Sequence, residues 1–441
     1  PVLAAVLALA LAAVAGCTQV IPGRASAAGP LDTAGVEASI DQGELGTVAF
    51  DAVQDVWREE FPRAFGQPWV DIAEAVPVHV DDPGSTSPPC VQSISEVEGQ
   101  AFYCPSADAI AWDADRLLPE LEENFGAAGV AVVLAHEMGH AVQTRLGVDQ
   151  EQARDPRQYP TILLEAMADC YAGVVVARLS ERRIPGLAMG PVERDEAMLA
   201  LVGFRDPLGV TPTDEMAHGN AFDRVSAFQD GFTDGAGRCA AMSLDNREFT
   251  QRRFSSAEDL ARGGDLPLTE LLNAVETDAR GYFATVVPGF VPPLLTATST
   301  CNAEILNRQG PARFCATDRT VSIEFGELNL VHDQLGDFAS ATLVVSRYAL
   351  ATMQAAGFPT TGPQARATAL CLTGAYTGRL IDPTGTFKLS PGDLDEAVTV
   401  LLAGNWAARD TDGAATTEET GFDRVGQFRG GLLDPPSCQP A

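Results

Sequence analysis

At the centre of this sequence stands Val132-Val133-Leu134-Ala135-His136-Glu137-Met138-Gly139-His140-Ala141-Val142-Gln143, an apolar run that carries an H-E-x-x-H motif. On an α-helix His136 and His140 lie one turn apart on the same face, so both imidazoles can reach one ion at about 2.0–2.1 Å. Glu137 points roughly 100° away around the axis, close enough to touch a water on that ion without binding it. The alternative is two surface histidines placed by chance, but such residues rarely sit inside so apolar a run. The pattern predicts a zinc site with Glu137 as general base.

A third protein ligand is needed, because catalytic zinc keeps its fourth position for water. The next predicted long helix contains Glu165 and Asp169, which are one turn apart among apolar residues. Unpaired carboxylates are costly there, so a metal site explains them better than a solvated helix start does. The arrangement resembles the E-x-x-x-D pattern of gluzincins. That resemblance implies that Glu165 binds zinc and that Asp169 accepts a hydrogen bond from a ligand histidine. The reverse assignment stays open.

The composition limits the partners of this chain. Its 441 residues exceed one ordinary core, so two domains are expected. The chain has 60 Asp and Glu against 29 Lys and Arg, a net charge of −31. Such a field repels nucleic acid and anionic lipid headgroups, so neither is expected as a partner. A well-solvated surface accounts for the acidity.

The first residues are typical of a targeting segment. Val2 to Ala15 form an unbroken apolar run that is too short for a membrane span. Val14-Ala15-Gly16-Cys17 resembles the lipobox of bacterial lipoproteins, in which the cysteine is lipidated; the alternative is a free cysteine. We therefore expect a signal peptide over 1–17, a flexible tether over 18–46, and export to the extracytoplasmic side of the bacterial membrane. The lipid on Cys17 would be the only membrane contact.

Several motifs occur twice at nearly constant spacing, which predicts a tandem duplication. Phe222-Asp223-Arg224-Val225 recurs as Phe422-Asp423-Arg424-Val425, and Asp195-Glu196-Ala197 recurs as Asp395-Glu396-Ala397. The expected domains are a zinc-binding domain over 47–245, a polar linker over 246–265 and a second copy over 266–441.

The duplication also suggests how the eight remaining cysteines pair. An even number of cysteines in an exported chain favours disulfides, and each copy has four of them in the same order. Repeated pairing gives Cys90–Cys104, Cys170–Cys239, Cys301–Cys315 and Cys371–Cys438. Other connectivities stay open on the sequence alone.

The periodicity predicts a mainly helical α+β fold. Helices are expected near 47–65, 115–124, 127–146, 160–181 and 191–203, the last with Gly203 as its C-cap. Strands are expected at 76–80 and 109–113, the second after a turn at 103–105. The last helix of the first copy begins near Ala221, with Asn220 as its N-cap, and the second copy repeats the order from about Leu268.

These motifs together resemble the bacterial neutral zinc metallopeptidases. The matching segments are His136 to His140, Phe102 to Pro105, Glu165 to Gly173, and His218-Gly219-Asn220 leading to Arg224-Val225. The resemblance covers about Phe50 to Cys239. It implies a zincin-like fold, one Zn²⁺ held in the first domain, and hydrolysis of a peptide or protein substrate.

The second copy departs from the family pattern. At its matching positions Ser346, Arg347 and Leu350 replace the H-E-x-x-H residues, and Arg366 and Leu370 replace the two carboxylates. We therefore expect a degenerate repeat without zinc, with a structural, regulatory or partner-binding role.

The remaining histidines, and an Asp-Arg pair that occurs in both copies, are interpreted separately. His218 becomes Thr420 in the second copy, so it disappears together with the ligands. This co-loss favours a role in steadying the oxyanion, and the alternative is a residue that merely precedes a helix. His79 and His332 are expected to be structural, and Asp223 and Arg224 are expected to hold the fold because both copies keep them.

The sequence thus predicts a cell-surface zinc peptidase, expected to be an endopeptidase, with Glu137 as base. The competing hypothesis is a non-catalytic zinc-containing surface lipoprotein that binds a protein partner through the degenerate repeat.

Overall fold

The structure is a computed structural model that describes residues 42–438 except 383, 384, 386 and 417. The expected signal peptide with Cys17, and the expected tether up to residue 41, lie outside the described residues. The lipid anchor therefore stays a prediction.

The fold is mainly helical α+β, as predicted, and the described part of the chain contains fifteen α-helices and six short strands. The helices up to residue 261 are α1 Gln42–Phe65, α2 Leu117–Leu146, α3 Val148–Arg154, α4 Thr161–Leu179, α5 Pro191–Gly203, α6 Ala221–Asp234, α7 Ala236–Ala240 and α8 Ala257–Ala261. The later helices are α9 Leu268–Val286, α10 Ala303–Gln309, α11 Phe325–Leu335, α12 Asp337–Ala355, α13 Pro363–Arg379, α14 Asp393–Ala403 and α15 Gly421–Leu433. The strands are β1 Glu74–Val78, β2 Ala101–Cys104, β3 Ala109–Asp113, β4 Leu295–Thr296, β5 Ala312–Cys315 and β6 Thr320–Ile323.

Helix α2 carries the H-E-x-x-H motif through the core. It joins the two helices predicted at 115–124 and 127–146, and Gly126 at the junction has non-helical angles with φ of 61°. The second part of α2 is apolar on nearly every face because α1, α4, α5 and β2 pack around it. Its length and apolar composition would suit a membrane span, but 72% of that window is buried inside the fold.

Two small sheets have the same arrangement in the first half (42–265) and in the second half (266–438) of the described chain. In the first, β3 lies between parallel β1 and antiparallel β2; in the second, β6 lies between parallel β4 and antiparallel β5. The turn predicted at 103–105 was wrong, because Tyr103 and Cys104 belong to β2 and the chain turns after them. Aromatic and apolar residues of β2 pack beside α2, which favours the extended conformation there.

Close helix pairs also match between the halves, and glycines make both possible. A Cβ on Gly173 of α4 would lie 2.0 Å from the carbonyl oxygen of Phe228 in α6. A Cβ on Gly374 of α13 would lie 1.8 Å from the carbonyl oxygen of Phe428 in α15. Only glycine permits this approach of two helix backbones.

The disulfides fasten the same places in each half. The bonded pairs are Cys90–Cys104, Cys170–Cys239, Cys301–Cys315 and Cys371–Cys438, which is the predicted pairing. Two of them join the last residue of β2 or β5 to an upstream segment, and two tie a central helix, α4 or α13, to the segment after the last long helix of its half.

The two halves exchange helix caps with one another. Asp195 of α5 accepts the backbone N–H groups of Gly421 and Phe422 at the start of α15. Asp395 of α14 accepts the backbone N–H of Ala221 at the start of α6, at 2.9 Å. Each carboxylate thus meets the positive end of a helix dipole that belongs to the other half. Such reciprocal contacts are what a two-fold-related interface produces.

The segment expected as a linker, 246–265, is fastened to the core. Arg247 is buried and contacts Asp230 at 3.1 Å, and the backbone N–H of Thr250 donates to Asp223. Helix α8 also forms within this segment. Two smaller expectations also differ: the residue that caps α5 is Phe204, directly after Gly203, and α1 begins at Gln42.

Candidate metal centre and active site

Helices α2 and α4 bring the predicted ligands together. His136 and Glu165 are buried, His140 is partly exposed, and one ligand atom from each lies within 4.8 Å of the others. The approach depends on Gly139, because a Cβ there would lie 2.9 Å from the Cα of Ala168. Sequence alone places two histidines on α2, and this close helix contact adds the carboxylate.

Both imidazole rings direct their Nε2 atoms toward the Glu165 carboxylate. His136 Nε2 lies 3.2 Å from Glu165 Oε2, and His140 Nε2 lies 3.6 Å from Glu165 Oε1. Their Nδ1 atoms are engaged elsewhere, His136 with Asp169 at 2.8 Å and His140 with Gln143 at 3.1 Å. These outer bonds favour the tautomer that leaves Nε2 free for a metal.

The donor set suits zinc. Two imidazole nitrogens and one carboxylate form a typical three-ligand set of a catalytic zinc site. Glu165 Oε2 is buried and lies 3.2 Å from His136 Nε2, which carries no proton in the tautomer that Asp169 favours. This oxygen therefore lacks a hydrogen-bond donor among the described residues, although such atoms usually have one. A cation between the three side chains would satisfy it. Asp169 is not part of this group, so the geometry favours Glu165 over Asp169 as third ligand.

Asp169 is held from behind by Arg224 of α6. Arg224 donates from Nε to Asp169 Oδ2 at 2.9 Å and from its terminal nitrogen to Oδ1 at 2.8 Å. Burial alone would raise the pKa of Asp169, but Arg224 and His136 outweigh it and lower that pKa. Asp169 therefore stays ionised and fixes the His136 ring. Arg224 was expected to hold the fold. It does this by binding Asp169, which in turn contacts the predicted ligand His136.

Glu137 faces the same cavity from the neighbouring side of α2. Its Oε2 accepts the backbone N–H of Tyr103 from β2 at 3.0 Å. Burial raises the pKa of the Glu137 carboxyl. The cavity measures about 600 Å³, and its walls include β2 and the metal group. This is enough room for several residues of a peptide, since ligand sites commonly measure about 300–1,000 Å³.

His218 also lines this cavity, and Asp206 orients it. Asp206 Oδ2 accepts the backbone N–H groups of His218 and Gly219 at 2.7 and 2.9 Å, and Oδ1 lies 3.4 Å from His218 Nδ1. The Asp206 carboxylate raises the pKa of His218. Asn220 caps α6 two residues later, as predicted. The sequence did not point to Asp206, Gln143 or the role of Tyr103. Asp206 lies in a loop and Tyr103 on an edge strand, where no periodic signal marks a functional residue, and Gln143 continues the buried face of α2 without a motif of its own.

The matching positions in the second half hold no ligand set. Ser346, Leu350 and Leu370 are buried in its core. Arg347, in the place of Glu137, donates to the backbone carbonyls of Arg409 and Trp406. Arg366, in the place of Glu165, pairs with Asp410 and Glu419 at 3.6 Å. The residues that the sequence aligns with the metal group are therefore a serine, two arginines and two leucines, which form no set of metal donors.

The other predicted structural residues lie away from the metal group. His79 contacts Asp115 at 2.7 Å just after β1, and His332 of α11 contacts the carbonyl of Leu266 at 2.8 Å. Asp223 accepts from Thr250.

A helix-borne His-His-Glu group with a neighbouring free carboxylate defines the zincin type of metal centre. The chain belongs to the family described as "Putative neutral zinc metallopeptidase", whose sequence model matches residues 2–242.

Curated relatives are similar to part of the chain. The uncharacterized protein YpfJ of Escherichia coli strain K12 is 30% identical over 151 residues, which is 30% of this chain and 50% of that protein. The uncharacterized protein Rv2575 of Mycobacterium tuberculosis is 29% identical over 170 residues, 34% of this chain and 57% of that protein. The chain thus spans about half the length of the curated relatives it matches. No solved structure matches it significantly.

Proposed function

We propose that the protein is a zinc-dependent endopeptidase whose active site lies in the first half. The observation that carries this proposal is the convergence of His136, His140 and Glu165 beside Glu137 in an open cavity. A purely structural zinc site is normally closed and rich in cysteine. Here the eight cysteines of the described residues are used in disulfides.

His136, His140 and Glu165 would hold the ion. When bound, zinc lowers the pKa of its water to about 7 and polarises the scissile carbonyl. Asp169 and Gln143 keep the two rings oriented through their Nδ1 atoms. This orientation is set before substrate arrives, so little reorganisation remains for the reaction.

Glu137 would take the proton of the attacking water and return it to the leaving amine. One of its oxygens is fixed by the Tyr103 N–H, which leaves Oε1 to receive the proton. The same hydrogen bond joins Glu137 to β2. It would therefore hold the base at a fixed position relative to the strand edge that is proposed to bind the substrate.

Strand β2 would bind the peptide as an added strand. Tyr103 donates its N–H away from β3, so the edge at residues 101 and 103 faces the cavity. Because Glu137 holds the Tyr103 N–H, an extended peptide laid on this edge would pair with its other backbone groups, through hydrogen bonds that are independent of the peptide side chains. That mode favours an unfolded or extended protein segment as substrate.

His218 would donate a hydrogen bond to the oxyanion of the tetrahedral intermediate. Its imidazole is 43% exposed at the cavity and is held by Asp206. The Asp206 carboxylate raises the pKa of His218, which favours the protonated imidazole, and a protonated imidazole donates from both nitrogens.

The second half is proposed to be a degenerate copy that acts as a built-in partner. Matching sheets, disulfides and glycine contacts support a duplication. Its Asp395 caps α6, the helix that carries Arg224 toward the metal group. The second half, which has no metal site of its own at the aligned positions, would therefore stabilise the metal site of the first half.

The place of action is proposed to be outside the cytoplasm, on a lipid anchor at Cys17. Four disulfides support an oxidising compartment.

The test pairs Glu137→Gln with His140→Ala in zinc analysis and in hydrolysis of an unfolded protein. We expect about one zinc per wild-type chain, retained in Glu137→Gln and lost in His140→Ala. Hydrolysis should disappear in both. A wild type that holds zinc but cleaves no peptide, with Glu137→Gln indistinguishable from it, would favour the binding lipoprotein.

A further inference from the structure

A second cluster of carboxylates lies in the second half, away from the zinc group. Asp265 precedes α9, Asp337 begins α12 and Glu396 lies in the first turn of α14, and one oxygen from each comes within 4.8 Å of the others. Asp393, the first residue of α14, adds a fourth carboxylate beside them. Three separate segments of the chain therefore meet through negative groups.

Two of these carboxylates are buried and incompletely satisfied. Asp337 is 3% exposed and Asp393 is 4% exposed. Asp337 Oδ2 accepts the N–H of Leu266 at 2.7 Å, and Asp393 Oδ2 accepts the N–H of Ser390 at 2.8 Å. Their Oδ1 atoms have no hydrogen-bond partner among the described residues. A buried carboxylate oxygen without a donor is costly, and the cost grows when like charges surround it.

Glu396 is built into this place by a glycine. A Cβ on Gly336 would lie 2.1 Å from the Glu396 carboxyl carbon, so only glycine leaves room for it. Its Oε2 accepts the N–H of Phe338 at 2.7 Å. The carboxylate is thereby fixed against the start of α12, next to Asp337.

The first half offers a natural comparison. There Glu196 lies over Gly126, 3.2 Å from where its Cβ would be, in the same way that Glu396 lies over Gly336. The residue after Gly126 is Ala127, whereas the residue after Gly336 is Asp337. Both halves therefore have the glycine–glutamate contact, whereas an aspartate follows the glycine in the second half and an alanine in the first.

We propose that Asp265, Asp337 and Glu396 form a binding site for Ca²⁺. The donors are all carboxylate oxygens, which hard divalent cations prefer, and they lack the nitrogen and sulfur that zinc selects. Donors from three separate segments suit the irregular coordination of Ca²⁺ better than the strict octahedron of Mg²⁺. A proton shared between two of these carboxyl groups is the alternative, and it predicts a cluster that takes up no Ca²⁺.

The bound ion would tie the segment between the halves to the core of the second half. Asp265 lies at the end of the expected linker, while α12 and α14 are central helices of the second half. Ca²⁺ would thus stabilise the placement of that half, and this proposal does not depend on zinc catalysis.

The test titrates Ca²⁺ into the zinc-loaded full chain by calorimetry and follows thermal unfolding with and without Ca²⁺. The variants are Asp337→Asn, Asp265→Asn and, as the matched control, Glu196→Gln. We expect one Ca²⁺ per chain, no binding in Asp337→Asn, affinity lowered about tenfold or more in Asp265→Asn, and wild-type behaviour in Glu196→Gln. Ca²⁺ should raise the unfolding temperature of the wild type and of Glu196→Gln equally, raise that of Asp265→Asn less, and leave that of Asp337→Asn unchanged.

Two results would overturn the proposal. If the wild type takes up no Ca²⁺, the cluster shares protons. If the variants at Asp265 and Asp337 bind as tightly as the wild type, the ion binds elsewhere. Should Asp337→Asn fail to fold, Asp265→Asn still decides the question, because Asp265 is only partly buried.

Discussion

Replacing Asp169 with Asn should weaken zinc binding and destabilise the fold at once. Asp169 is fully buried and accepts hydrogen bonds from His136 and twice from Arg224, at 2.8–2.9 Å. Asn keeps the shape but removes the charge, so the Arg224 guanidinium is left buried without a counterion. Breaking such a pair costs about 3–5 kcal/mol of unfolding free energy. Loss of the partner that orients His136 should lower zinc affinity about 10–100-fold.

The second half shows which groups could accept the Arg224 guanidinium in the absence of Asp169. The sequence aligns Arg424 with Arg224 and Leu370 with Asp169, and Arg424 donates to the backbone carbonyls of Leu401 and Leu402. Helix-end carbonyls can therefore accept this guanidinium, which limits the expected loss to the lower part of the range. The loss of zinc affinity has no such compensation, because His136 Nδ1 loses its only charged partner among the described residues.

The matched control is Asp230→Asn. Asp230 is also buried and is paired with Arg247, Arg238 and Arg429, none of which belongs to the metal group. Denaturant unfolding of the metal-free proteins and zinc competition against a chelator separate the two effects. Both variants should lose stability, and only Asp169→Asn should lose zinc affinity. Equal zinc affinities in the two variants would refute the role given to Asp169.

Three further outcomes are expected. His218→Ala should lower kcat about 10²–10³-fold with KM nearly unchanged, and unchanged kcat with a lower unfolding temperature would leave it only a structural role. Burial raises the pKa of Asp395 to about 7, so the folded state binds its proton more tightly than the unfolded state does between about pH 4 and 7. Its contribution to stability is therefore complete at low pH and is lost as the pH rises through 7; Asp395→Asn should flatten this part of the stability curve, and an unchanged curve would contradict the assignment. Gly173→Ala should cost about 1–3 kcal/mol or more in denaturant unfolding because its Cβ meets a backbone oxygen, whereas Gly281→Ala, with open space around it, should stabilise by up to about 1 kcal/mol; equal effects would contradict the close packing of α4 on α6.

Regular helices were the part of the fold most open to prediction. The helices that begin at Pro191 and Ala221 start where the proline and Asn220 indicate, because caps are local interactions. Strand β2 was missed because it is only four residues long and is followed directly by Pro105, so that its end looks like a turn. Its extended form depends on pairing with β3 and packing on α2, which are distant in sequence.

In the metal group, too, local spacing was predictable and the contact between helices was not. Spacing alone puts His136 and His140 on one face, since the α-helix repeats every 3.6 residues. It also puts Glu165 and Asp169 on one face of the next long helix. Which of the two reaches the histidines depends on how α4 packs across Gly139, a contact between helices that no local pattern encodes.

The sequence by itself determined the helical motif, and it predicted the repeated halves and the pairing of the cysteines, of which the structure confirms the cysteine pairs. Each of these is a matter of spacing along one chain. Tertiary structure alone decided that Arg224 holds Asp169, that Asp195 and Asp395 cap helices in opposite halves, and that Asp265 meets Asp337 and Glu396. These contacts join segments far apart in the chain, and buried charges find their partners only once the helices have packed.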